Sequence, residues 1–316
     1  MVLALPDPIW ECSRVPLKFQ FGDIVLGRVF LSLFRRNAQL DEPPLAIGET
    51  PEPPPRLDGA DGYVVWSHPI ATRLPALSAQ GGRMLYAPRQ YRRFSIDLSG
   101  EFAQYMAAFS GKTRSGLRRK LRKFAEASGG RIDWRQYRTP KELSRFFPSA
   151  RMVSAKTYQE RLLQKGLPAS EMFIASSLAL SKADDVRAYL LFLQDEPISY
   201  LYCTINQQVV AYDYLGYDPS YSFLSPGTVL QLLALEALFA ERRFTTFDFT
   251  EGEGQHKEMF STANCLCGDV YVLARRFFPV SAVMLHYAAD RISGSCGIIL
   301  DQLNLRSSFR RLVRGI

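Results

Sequence analysis

The chain has 316 residues, 47% hydrophobic and 22% charged. That composition can bury a real core and excludes a globally disordered protein. The length favours two domains of ordinary size. Lys+Arg total 39 against 31 Asp+Glu, a net charge of +8, which favours an acidic partner: a phosphate-bearing cofactor, an anionic polymer, nucleic acid or a membrane surface. Five cysteines, an odd and sparse count, fit free thiols in a reducing cytosol. Cys265 and Cys267 lack a second Cys or His pair at zinc spacing, so no metal is expected. The first ten residues lack a basic start and are broken by Pro6 and Pro8. The longest apolar stretches, 24–34 and 279–289, fall short of the ~20 residues a spanning helix needs. A cytoplasmic protein is expected.

Strand-like runs at 19–25 and 62–66 flank a Pro-rich segment, 41–62. Its six prolines exclude a regular helix or central strand, so it reads as a surface loop. Ser99 is expected to cap a helix presenting Phe102, Tyr105, Met106 and Phe109 on one face. Seven of the twelve residues 112–123 are basic. Leu117, Leu121 and Phe124 form one stripe there and Arg114, Arg118 and Arg122 another. Gly129-Gly130 ends this helix, and 131–137 reads as a strand. Thr139-Pro140-Lys141-Glu142 is a capping box with Pro at the first helical position, and its helix is expected to run towards Gly166, kinked at Pro148. A helix over 171–181 follows.

The period then changes from helical to alternating. Three β-rich runs, 186–193, 198–205 and 209–216, read as an antiparallel meander. A strongly apolar helix (228–242), a strand (244–249), a short helix and a strand (269–275) complete the pattern. A meander followed by a βαβ crossover predicts a mixed α/β sheet flanked by helices. It excludes a purely parallel sheet and an all-β sandwich.

Four segments could carry chemistry. At 223–229, Ser225 is expected to cap the helix through its side chain, Pro226 to open it, and Gly227 to leave the backbone approachable. The free N–H groups of Gly227, Thr228 and Val229 would then favour an anion such as a pyrophosphate. At 250–260, just past a strand end, Glu251, His256 and Lys257 converge. His256 is a candidate general base, since imidazole titrates near neutrality, and Lys257 a candidate for holding a phosphate or polarising an acyl oxygen. Asp213 and Asp248 sit inside apolar strands, where an acid needs a partner or a raised pKa. Asp213 is read as sharing a face with Ala211 and Leu215, and is the preferred base, with Tyr214 beside it as a donor to a leaving group. Asp248 is a substrate contact or a structural partner of Arg242 or Arg243. Finally, Arg114 and Arg118 could grip a polyanionic acceptor, although no motif for sequence-specific nucleic-acid reading accompanies them.

Taken in order, Asp218-Pro219, Leu224-Ser225-Pro226-Gly227, Phe247-Asp248 and Gly254 with Lys257 resemble the acyltransferases of the GNAT superfamily. More narrowly, they resemble the branch related to FemAB and to the CelD/BcsL proteins of bacterial cellulose and exopolysaccharide synthesis. The resemblance covers roughly 110–275 and includes residues 114–121 with Gly129-Gly130. It implies a GNAT-like sheet in which two parallel strands, here 209–216 and 244–249, splay around the pantetheine arm of acetyl-CoA, with residues 225–229 cradling its pyrophosphate. The superfamily's Q/R-x-x-G-x-G/A is absent, with a single Gly in its place. The implied organisation is a degenerate GNAT-like half over 1–110, an acyltransferase domain over 111–275 and basic amphipathic helices over 276–316. The implied activity is N- or O-acetylation of a sugar or polysaccharide precursor. The alternatives are a FemAB-like transfer from aminoacyl-tRNA to a peptidoglycan or lipid acceptor, or a non-catalytic subunit of exopolysaccharide assembly. Residues 280–292 and 304–314 are amphipathic. Docking on a membrane and packing on the chain's own domain both fit them, and packing is the reading adopted.

Overall fold

A computed structural model describes residues 10–21, 24–157 and 166–302. The chain forms two compact units, one from residues up to 92 together with those from 265 onward, the other spanning 93–264. The fold is mixed α/β, with helices flanking the strands.

In the first unit, β1 (Glu11–Phe21) and β2 (Ile24–Asn37) form an antiparallel hairpin. The expected strand at 19–25 instead spans the end of one strand and the start of the next. Both strands are long alternating runs, and the pattern alone did not place the reversal. β2 pairs in parallel with β3 (Gly62–Pro69), which pairs antiparallel with β12 (Ala263–Ala274). Short β4 (Leu77–Gln80) and β5 (Arg83–Tyr86) extend from β12. The Pro-rich segment contains no strand but is tied down: Leu45 N–H donates to the Pro69 carbonyl at 2.9 Å, and Arg36 pairs with Glu42.

In the second unit the strand order is β6 (Gln90–Asp97), β11 (Thr246–Asp248), β10 (Val209–Tyr217), β9 (Glu196–Asn206), β8 (Val186–Leu193), β7 (Asp133–Tyr137). Every contact is antiparallel except β10 with β11. Alternation along β8 explains how both faces are buried. Val186, Ala188, Leu190 and Phe192 meet α3 (Pro140–Lys156) and α4 (Glu171–Lys182), whereas Tyr189 and Leu191 face the other way. That opposite face is covered by α1 (Phe102–Ala108), α2 (Gly111–Ala127) and α5 (Pro226–Glu241). α5 is apolar nearly all round because it is buried nearly all round. Each fully buried leucine there contributes about 2 kcal/mol.

Two helix starts differ from expectation or confirm it. Thr139 does cap α3, with the reciprocal Glu142 bond. Ser99 does not cap α1: it bonds Asp97, and Glu101 caps instead through a box with Gln104. α3 ends at Lys156 with Pro148 inside it; the expected continuation over 158–165 lies outside the described residues, as does the stretch 304–314.

Candidate active site

The site is positioned by the divergence of β10 and β11. They pair in parallel only from Val209↔Thr246 to Ala211↔Asp248. From Tyr212 to Tyr217, β10 keeps β9 on one side and has no strand partner on the other among the described residues. Thr250, with φ of 58°, reaches back across the opening, and its hydroxyl donates to the Tyr212 carbonyl at 3.1 Å.

Asp213 lies at the point of divergence. Its register with β9 skips from Tyr212↔Cys203 to Tyr214↔Tyr202, so Asp213 is the extra residue of a β-bulge. The bulge shifts the alternation: Tyr212 and Leu215 both pack towards α5, and Tyr214 faces Phe173 and Tyr202 on the other side. On a regular strand Asp213 would share a face with both Ala211 and Leu215; the bulge interrupts that alternation, and the Tyr214 ring is directed away from Tyr212. Asp213 Oδ2 accepts from Thr204 N–H at 2.8 Å and from Thr204 Oγ1 at 2.7 Å. Its Oδ1 accepts no hydrogen bond among the described residues. Burial raises the carboxyl to about 6, opposed by the Thr204 bonds and aided by the charge of Asp248. The result is a carboxyl anchored through one oxygen with the other free of hydrogen bonds among the described residues.

Asp248 is buried and receives Arg93 of β6, with Nη2–Oδ2 at 2.5 Å and Nε–Oδ1 at 3.1 Å. Its expected partners are engaged elsewhere, Arg242 with Glu101 and Arg243 with Asp184 and Asp185. The pairing follows from register, since β6 lies beside β11 and sets Ser95 opposite Asp248.

α6 (Gln255–Phe260) follows the loop beyond β11. The Lys257 ammonium donates to the carbonyls of Phe249 at 2.7 Å and Glu251 at 2.6 Å, the latter being the backbone of a residue expected to touch substrate. Burial lowers the Lys257 pKa, against the pull of Asp248 and Glu251. The His256 ring packs edge-on against Tyr212, Phe249 and Phe260. Its Nε2 is shielded and has no hydrogen-bond partner. Burial, then the positive charges of Lys257 and Lys120, lowers its pKa, so the imidazole is neutral at pH 7.

The start of α5 is built differently from the sequence expectation. Ser225 sits in the left-handed region, φ 54° and ψ 47°, and its side chain makes no capping bond. Gly227 is buried; a Cβ there would lie 3.1 Å from Leu215 Cδ2 and 3.3 Å from Tyr217 Cδ1. The glycine thus lets the helix start rest on β10 and does not open the backbone outward. Thr228 receives Lys120 Nζ at 3.5 Å, and Lys123 Nζ donates to the Phe223 carbonyl at 2.9 Å. Val229 is buried, its N–H returning to the Ser225 carbonyl. Arg114 of α2 donates to the Ala107 carbonyl at 2.9 Å, and Arg118 is exposed.

These contacts define two outcomes. Ser225→Ala is expected to leave stability within a few tenths of a kcal/mol, because no cap bond is lost. Gly227→Val should destabilise by about 1–3 kcal/mol through overpacking against Leu215 and Tyr217. Thermal melts of both variants check the pair; an unaffected Gly227→Val protein would show that the helix start is not pressed on β10.

Arg93, Thr204, Lys120 and Thr250 were not singled out from sequence. Only Arg93 left a signal, as a cation in an alternating run that a buried acid requires.

No group of His, Cys, Asp and Glu among the described residues is placed to hold a metal. Residues 111–258 match the Acetyltransferase (GNAT) domain family. The match runs from α2 into α6 and takes in the diverging strands, so the second unit has a GNAT-like, acyltransferase fold. A search of curated proteins returned no match. Solved structures similar in fold include the C-terminal DUF2156 domain of an Agrobacterium fabrum protein, 10% identical over 72% of each chain with a TM-score of 0.47. L-PGS from Bacillus licheniformis is 15% identical over 72% of each chain, TM-score 0.43. FemX is 10% identical, covering 83% of this chain and 88% of its own, TM-score 0.45.

Proposed function

We propose that this chain transfers an acyl group, acetyl in the simplest case, from acyl-CoA to an amine or hydroxyl of a sugar or polysaccharide precursor. The observation that carries the reading is Asp213, held by Thr204 through one oxygen at the point where β10 loses β11, with a pKa raised to about 6. A base titrating just below neutrality is ionised at pH 7 yet still accepts a proton readily.

The residues present fit the donor. The vacated edge of β10 offers peptide groups to an amide-containing arm. The start of α5, with Lys120 at Thr228, offers positive potential to phosphates. When bound, acyl-CoA supplies an acyl group activated as a thioester. Asp213 would take the proton of the attacking amine or hydroxyl at Oδ1, as the acyl carbon exchanges its bond to the coenzyme A sulfur for one to the acceptor, the thiolate being the leaving group. Peptide N–H groups on the edge of β10 are available to negative charge developing on the acyl oxygen. Lys257 holds the Phe249–Glu251 carbonyls in place, and the apolar packing of Tyr212, Phe249 and His256 excludes water nearby. Asp248, paired with Arg93, fixes β11 beside β6. The sugar acceptor rests on the resemblance to the CelD/BcsL branch.

One observation favours a second reading. α2 exposes Lys112, Arg118, Arg119, Arg122 and Lys123, a surface suited to the backbone of a charged tRNA as aminoacyl donor. Calorimetry with acetyl-CoA and with uncharged tRNA separates the two. Saturable acetyl-CoA binding in the micromolar range is expected. Binding of tRNA alone would replace acyl-CoA by aminoacyl-tRNA, and binding of neither would remove the catalytic reading.

A further inference from the structure

We infer that the first unit docks on the surface of an anionic lipid bilayer through the outer face of α7 (Phe277–Gln302). One face of this helix is spoken for: Ala282, Val283 and His286 are buried, and His286 bonds the Tyr86 hydroxyl and the Lys18 carbonyl of β1. The opposite face is apolar and open. Phe278, Leu285 and Ile292 recur every seven residues, as do Phe277 and Met284, so they form one stripe. Phe277 is 90% exposed, and Leu285 and Ile292 each 62%. The stripe spans about 22 Å at 1.5 Å per residue. It continues onto the β1–β2 hairpin, where Leu26, 71% exposed, lines an apolar cleft with Phe19, Ala289 and Ile292. Scattered apolar residues are ordinary on a protein surface; a contiguous row of this length marks a contact surface.

Charge selects the occupant. Exposed Arg275 and Arg276 precede the stripe and Arg291 flanks it. Residues 275–293 contain a single carboxylate, Asp290, which lies 3.6 Å from His286 Nδ1. The sequence that follows, 294–316, adds Arg306, Arg310, Arg311 and Arg314 against one acid, Asp301. A second copy of the chain would set these arginines against their own kind, whereas anionic headgroups complement them. Apolar residues entering the acyl boundary with arginines at the headgroups is the arrangement of an interfacial helix. No helix among the described residues is long and apolar enough to cross a membrane, so this contact lies on the surface. It is independent of the acyl donor.

The test is co-sedimentation of the full chain with vesicles of phosphatidylglycerol and phosphatidylcholine, and with phosphatidylcholine alone. Binding to the mixed vesicles is expected, at least tenfold weaker on phosphatidylcholine. Phe277→Ser with Leu285→Ser should lower partitioning at least tenfold with an unchanged melting temperature, since both side chains are exposed. Arg275→Gln with Arg276→Gln should remove most of the preference for the anionic lipid. Failure of the parent to sediment, or serine variants that bind like the parent, would overturn the inference. So would a dimer in sedimentation velocity that the serine variants convert to monomer, which would assign the stripe to a second copy.

Discussion

Asp213→Asn should lower turnover at least a hundredfold, about 2.7 kcal/mol in the barrier, while making the folded chain more stable at pH 7. The two effects come from one carboxyl. Asn retains an acceptor for Thr204 N–H and Oγ1 but cannot take a proton. Folding raises the carboxyl from 3.8 to about 6, so the folded state favours the protonated form. The stability this group contributes is present below about pH 4 and lost as pH rises through about 6. At pH 7 the ionised form therefore costs up to about 3 kcal/mol, which a neutral amide avoids. Activity runs the other way. In the parent, kcat/KM should fall as pH drops through about 6, when Asp213 takes up its proton. A pH–rate profile and a urea titration of both proteins decide the matter. Loss of activity together with loss of stability would make Asp213 a structural residue of the bulge.

The architecture of the second unit was legible in the sequence because its signals are local. The period change at Val186, the Thr139 capping box and the Gly129-Gly130 stop each act within a few residues, and each is in place. The same locality explains the failures. A bulge is one inserted residue, invisible to strict alternation, so a common face was expected for Ala211, Asp213 and Leu215 on a strand whose alternation is interrupted. Ser225 has the chemistry of a cap, yet its backbone is left-handed, a property set by how the preceding turn meets the helix. Gly227 was given an open surface because sequence does not show that Leu215 and Tyr217 lie over it. Thr204 and Arg93 act through neighbouring strands, Arg93 from 155 residues away. Register supplies these partners, and register is a property of the folded sheet.

That dependence on a distant partner makes Arg93 the site of the largest expected loss of stability. Arg93→Ala leaves the Asp248 carboxylate buried at 2% exposure with its main counter-charge gone. Removing one member of a buried pair costs about 3–5 kcal/mol, because the remaining charge stays desolvated. The Thr250 N–H bond to Asp248 Oδ1 at 2.9 Å persists but carries no full charge. The double variant Arg93→Leu with Asp248→Leu should recover most of this, since no unpaired charge then remains. Denaturant unfolding of Arg93→Leu, Asp248→Leu and the double variant yields the coupling directly. If Asp248 serves only to hold β11 against β6, the double variant should also recover much of the activity. A double variant as stable as the parent yet fully inactive would instead return Asp248 to the role of substrate contact. Arg93→Ala with an unchanged midpoint would mean that β11 needs no ionic anchor, leaving the divergence of β10 and β11 to packing alone.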